Sequence, residues 1–231
     1  MGGTFRRSRR GIIGIEAAIV LIAFVIIAAA FAFMAINMGL FATQRSKDTI
    51  AQGLREASSP LQVDGSIFIR VVDDEIMVNA TIIPLRAMGV KYVPVGANET
   101  VVSLSIVERS GESRAYANIY YGVNATYEPK GETFDKLVKT ALITAKNRTG
   151  TPNLVPSAVL IVENSDGDEA LDAFEKGFLV VVLGNGTGVA PNVAPRAIVT
   201  IEIRVERSAP LTIEFMVPES LARDSWMPVS G

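Results

Sequence analysis

Side chains that could do chemistry are few in this sequence, and they are poorly assorted for catalysis. The 231 residues contain neither cysteine nor histidine, which removes disulfide frameworks, thiolate zinc sites, cysteine nucleophiles, histidine bases and Ser-His-Asp triads together. What remains falls in four places. Arg6, Arg7, Arg9 and Arg10 crowd into five residues and run into Gly11 and Ile12. Glu16 follows as a lone carboxylate heading an uncharged run. Asn164-Ser165-Asp166-Gly167-Asp168-Glu169 is the one dense oxygen cluster. Asn79, Asn98, Asn124, Asn147 and Asn185 each open an Asn-x-Thr triplet.

Each place suggests its own chemistry. After Glu16 the next ionisable residue is Arg45, so Ala17 to Gln44 is 28 residues without a charge. A carboxylate at the buried end of such a segment costs several kcal/mol unless a cation neutralises it. Glu16 therefore asks for a dedicated partner. Asp166, Asp168 and Glu169 have the oxygen chemistry of a hard-cation site but neither the spacing nor the distal glutamate of an EF-hand loop. The expectation is a turn in which Asp168 caps a short helix from Glu169 to Glu175. Gly184-Asn185-Gly186-Thr187-Gly188 lacks the following Lys-Ser/Thr of a phosphate loop and is read as a plain loop. Ten asparagines and 29 Ser and Thr in 231 residues give roughly one or two triplets by chance, so five is an excess. Such sites accept glycans once a chain is translocated, and a glycan needs an exposed surface.

The elements that must position these groups divide the chain in two. Alanines and branched apolar residues continue in helical pattern, past the charges of Arg45, Lys47, Asp48 and Arg55, to Ser58-Ser59-Pro60, where proline stops a helix. A helix from Ile12 to Ser59 reaches roughly 70 Å, more than the ~30 Å hydrocarbon core of a bilayer. Basic residues on its amino side hold that end in the cytoplasm and put the remainder outside. Two readings compete. One is a simple membrane anchor. The other is a helix that packs with copies of itself, favoured by Glu16 and by a small-residue load from Ala17 to Gly39 that permits close approach.

From Leu61 the period changes from helical to alternating. Residues 66–72, 75–83, 100–107, 114–121, 158–162, 178–183, 197–205 and 211–217 read as eight strands, with a hairpin turn at Asp73-Asp74 and an inserted helix from Thr133 to Lys146. The fold class is α+β: a long hydrophobic N-terminal α-helix followed by an immunoglobulin-like β-sandwich. Hydrophobic residues at 49% and mean hydropathy of +0.33 fit a chain that meets lipid or a large dry interface, and a formal charge of −2 gives no basic excess for nucleic acid.

The run Arg9-Arg10-Gly11-Ile12-Ile13-Gly14-Ile15-Glu16-Ala17-Ala18, with Asn37-Met38-Gly39-Leu40-Phe41 and Thr43-Gln44-Arg45-Ser46-Lys47, closely resembles an archaeal flagellin, or archaellin. A weaker similarity lies at Ala209-Pro210-Leu211-Thr212-Ile213-Glu214 and Val217-Pro218. The resemblance implies a type IV prepilin-like signal peptide over residues 1–11, cut between Gly11 and Ile12 by a prepilin-type membrane peptidase. It also implies an assembly role for Glu16, five residues into the mature chain. Cutting there removes four of the 22 basic residues, leaving 18 against 24 acidic ones and a formal charge of −6. The new Ile12 amine is a candidate partner for Glu16, on a neighbour or on the same chain.

The expectation that follows is a structural subunit without enzymatic activity or cofactor. Residues 12–59 form the filament core and residues 60–231 an outer domain. The precursor inserts transiently in the membrane, the archaellum assembly machinery handles it, and the product is an extracellular swimming filament, homopolymeric or mixed with other archaellins. The competing functions are an adhesive type IV pilin and a membrane-anchored external binding domain. The second needs a ligand cleft, and no aromatic-rich loop offers one.

Overall fold

The computed structural model describes residues 10–57, 59–72, 76–150, 155–184 and 192–229. It divides into Met1–Leu54 and Arg55–Gly231. Helix α1 runs from Arg10 to Ala57 without a break, since no proline occurs before Pro60 and alanine is frequent throughout. Its apolar stretch gives way to charge around Phe41, whose ring carries the Arg45 guanidinium 5.6 Å from its centre.

The second unit is built on two main sheets. Its strands are β1 (Leu61–Val63), β2 (Ile67–Val71), β3 (Val78–Ala87), β4 (Tyr92–Pro94), β5 (Thr100–Val107), β6 (Ser113–Tyr116), β7 (Tyr120–Asn124), β8 (Ser157–Glu163), β9 (Ala170–Asp172), β10 (Lys176–Val182), β11 (Ile198–Val205), β12 (Leu211–Met216) and β13 (Trp226–Val229). Seven of them form one sheet in the order β13-β2-β3-β10-β8-β7, with β1 also on β3. Four form a second, β12-β11-β5-β6, while β4 and β9 make a small ribbon.

Alternation in sequence builds the space between the sheets. Val102, Leu104 and Ile106 of β5, Val199, Ile201 and Ile203 of β11 and Ile213 and Phe215 of β12 all point inward. They share one core with Ile69, Ile83, Leu85, Leu160, Leu179 and Val181 of the larger sheet. This two-sheet core is the expected sandwich. Strands β8 and β10 are buried on both faces, so they read as near-continuous apolar runs.

Their second face is covered by helix α2 (Phe134–Thr149), which lays Leu137, Ala141 and Ala145 on Ile82, Val159, Ile161 and Val180. The helix is the crossover between β7 and β8, the one parallel pair among the described strands, as a parallel connection requires. It ends where Gly150, at φ +72°, takes the left-handed cap position and donates its N–H to the Lys146 carbonyl at 2.7 Å.

Two expectations need correction, and a third cannot be placed. The segment from Glu169 to Glu175 is not a helix: Ala170–Asp172 is strand β9, paired with β4, because Leu171 is fully buried. Asp168 therefore caps no helix, and its Oδ1 instead accepts the Ala170 N–H at 2.8 Å within a turn. The stretch 114–121 is two strands, β6 and β7, on different sheets. The expected turn at Asp73-Asp74 lies outside the described residues, though the β2 and β3 flanking it do pair antiparallel.

Candidate assembly site

Every side chain described along α1, from Gly14 to Leu54, is exposed. Large apolar groups point in all directions, from Ile27 at 53% to Met38 at 73%. A helix apolar on every side belongs in a protein core or in a membrane. None of the apolar window of Gly14–Leu54, with mean hydropathy of 3.1, is buried within this chain. Beyond the helix's own backbone, Gly14, Gly39 and Gly53 have no heavy atom within 4 Å of the place a Cβ would take. Each costs the helix about 0.5–1 kcal/mol relative to alanine, with no compensating contact inside the chain.

Glu16 sits on this bare surface, and among the described residues no basic group pairs with it. It lies four residues, about one helical turn, after Ile12. Gly11 and Ile12 are within α1, with side chains outside the described ones.

The five triplets differ in setting. Asn98 is exposed in the turn before β5, and Asn147 is exposed on the last turn of α2. Asn124 is half-buried and engaged: its amide donates to Thr144 Oγ1 at 2.9 Å while its oxygen accepts from Thr126 and Tyr127. Asn79 lies in β3 at the bulge opposite Arg70 and Val71. Its Oδ1 is buried without a partner, and Thr81 is fully buried, bonded to the Phe68 carbonyl. Asn185 is outside the described residues.

The oxygen cluster is committed to the fold. Asp166 Oδ1 accepts the Asp168 N–H, and Glu169 pairs with Arg148 at 3.0 Å. The buried Glu175 carboxylate accepts the N–H groups of Asp166 and Asp172, which ties both ends of the loop together. Among the described residues no three acidic side chains are arranged to hold a metal.

The same Arg148 also donates to the Val123 carbonyl at 3.2 Å. Nearby, burial pushes the Tyr120 phenol far above its ordinary range, and its hydroxyl donates to the Val95 carbonyl. At the far end of α2, Arg70 bonds Asp135 at 2.7 Å and Asp224 at 2.6 Å. Partial burial works against the Arg70 charge, but its hydrogen bonds to Asp224 and Asp135 outweigh it and raise its pKa. Trp226 packs edge-on to Phe134 with centroids 5.2 Å apart and donates to Asp135 at 3.2 Å. The single tryptophan thus pins β13 to α2. Phe174, which no sequence pattern singled out, is 95% exposed. Its one signal is its place as an aromatic among carboxylates.

A β head that closes its own core, joined to an apolar helix that its own chain leaves bare, defines a subunit whose burial is completed by lipid or by other copies. The chain belongs to the archaeal-type flagellin family, whose model matches residues 11–215. It is 40% identical over 219 residues to Probable flagellin 1 of Aeropyrum pernix, covering 93% of this chain and 95% of that one. With Probable flagellin 1 of Archaeoglobus fulgidus it shares 29% over 229 residues, 98% of each. The crystal structure of archaeal flagellin FlaB1 from Methanocaldococcus jannaschii has the same fold, with a TM-score of 0.51 at 16% identity over 73% of this chain and 95% of that one. The protein is a structural subunit of the archaeal flagellum filament, an extracellular appendage for swimming in which it assembles with other archaellins.

Proposed function

We propose that the mature subunit begins at Ile12, after a prepilin-type peptidase cuts the membrane-inserted precursor behind Gly11. Residues 12–59 then form the filament core and residues 60–231 the outer domain. Within the core Glu16 neutralises an Ile12 amine, on its own chain or a neighbour's. The subunit performs no catalysis and needs no cofactor. Glycans attach at exposed Asn98 and Asn147 before the engaged Asn124 and the half-buried Asn79. The observation that carries this reading is the exposed apolar surface of α1 from Gly14 to Leu54, which lipid covers before assembly and other helices cover after it.

Intact-mass and peptide analysis of native filaments tests each part. The expected result is a chain starting at Ile12, with added mass on the peptides of Asn98 and Asn147. Filaments whose subunits retain residues 1–11 would refute the cleavage. Unmodified asparagine at every triplet would refute the glycans.

A further inference from the structure

Phe174 stands at the tip of a turn from Asp172 to Glu175, closed by the Glu175 N–H on the Asp172 carbonyl at 3.2 Å. The turn is held from beneath by the buried Glu175 carboxylate. A phenyl ring 95% exposed on so well-fixed a backbone is the form of a binding anchor: an aromatic with two side-chain torsions whose docking costs little further backbone ordering. Asp172 opens the same turn and Asp166 is tied to it through Glu175, so the knob carries carboxylates of its own, and Phe174, 95% exposed, contributes nothing to the head's own core.

The head also offers a receptor. Met216, Val217 and Pro218, with Arg109, Arg196 and Glu219, line an open pocket of about 420 Å³. Val217 forms a buried floor, while Met216 is 59% exposed. Arg196 sits at φ +65° with its N–H on the Val217 carbonyl and its guanidinium on Glu219. Arg109 is exposed and has no carboxylate partner among the described residues.

Anchor and pocket lie at opposite ends of the head, separated by β10. The Phe174 turn leads into Lys176, where β10 begins. At the other end Val182 pairs with Ala80, and just beyond it Val78 bridges Val193, three residues before Arg196. An acidic aromatic knob at one end and an apolar pocket with an unpaired arginine at the other make a complementary pair on one chain. Such a contact does not close on itself. Repeated from copy to copy it builds an open helical array, not a ring or a two-fold dimer.

We infer that Phe174 of one head inserts into the Met216–Pro218 pocket of the next, with Arg109 facing the carboxylates around the knob. This rests on the filament reading and gives the outer domains a longitudinal contact of their own.

The chain has no cysteine, so introduced thiols report the contact cleanly. Filaments carrying both Phe174→Cys and Met216→Cys, oxidised with copper-phenanthroline, should give a ladder of covalent multimers on a denaturing gel, and each single variant should give none beyond dimer. A monomer band alone from assembled double-variant filaments overturns the contact and leaves the filament reading standing. Absence of the wild-type chain from filaments would instead overturn that reading. Phe174→Ala provides a second readout if the double variant does not assemble. Its filaments should dissociate at lower temperature than wild type and shed that difference when Met216→Ala is added to both. Unchanged heat stability of Phe174→Ala filaments also overturns the contact.

Discussion

Isoleucine has opposite fates in the two halves of this chain. Ile69, Ile82, Ile106 and Ile201 in the head are fully buried, whereas Ile19 and Ile26 on α1 are 61% and 63% exposed. Burying such a side chain is worth about 1.5–3 kcal/mol. The head gains that within its own chain. The helix finds no such burial within its own chain, so under the proposed division the head should fold by itself while the helix waits on lipid or other copies. The difference also shows in charge: ion pairs stud the head, while nothing between Ala17 and Gln44 can titrate.

The largest effect should come from Glu16. A carboxylate at the start of a helix gains about 0.3–1 kcal/mol from the dipole at an exposed site. Removing one partner of a buried pair typically costs about 3–5 kcal/mol. Glu16→Ala should therefore shorten or abolish filaments, with protein accumulating in the membrane, while the melting of a 61–231 fragment stays unchanged. Microscopy and membrane fractionation read the first outcome and calorimetry the second. Normal filaments and swimming would reduce Glu16 to a helix-start residue.

The reverse profile belongs to the head. Ile201→Ala removes buried methyl groups from the centre of the sandwich and should cost about 2–5 kcal/mol, visible as a lower melting temperature of the 61–231 fragment. Membrane insertion of the precursor should not change. A variant that blocks insertion as well would break the division at Pro60.

A smaller loss is expected at Gly122. Its φ is +99°, and a Cβ there would collide with Arg148 Nη1 and stand 3.1 Å from Ala97 Cβ. Gly122→Ala should cost about 1–3 kcal/mol of head stability. Because Arg148 can swing away but the backbone cannot relax, adding Arg148→Ala should recover little of it. Full recovery would assign the cost to the contact, not to the backbone.

Legibility in the sequence followed the same division. Helix α1 was readable end to end because an uncharged run and a terminating proline are local facts. Strands β5, β11 and β12 were readable because one face meets the core and the other meets solvent. The short strands β1, β4, β9 and β13 were not, since three or four residues hold too little alternation and their partners are distant in sequence. Residues 170–172 take strand form only because β4 offers an edge and Leu171 a place in the core. The Arg70, Asp135 and Asp224 latch is invisible in sequence for the same reason: 65 residues separate the first two, and 154 separate Arg70 from Asp224. Gly11, Ile12 and Glu16 stand out in sequence by resemblance alone, whereas Phe174 needed its exposure in the folded head.

The smallest effect is electrostatic and sharpens the contrast in charge. Arg196 hydrogen-bonds Glu219 and holds its carboxyl below the ordinary range, while Glu219 raises Arg196 in return. A carboxyl whose folded pKa is depressed adds stability above its unfolded value of ~4.3. That contribution is lost as pH falls through the lower folded value. Both groups are exposed, so the effect is modest and weakens with added salt. The melting difference between the wild-type 61–231 fragment and Glu219→Gln should therefore be constant above about pH 5 and shrink toward zero below it. A gap that persists undiminished in strong acid would place its origin in packing around Pro218 and not in the ion pair. Arg196→Gln separates the two further: it removes the cation that depresses Glu219 and should flatten the same pH dependence without touching the carboxyl itself.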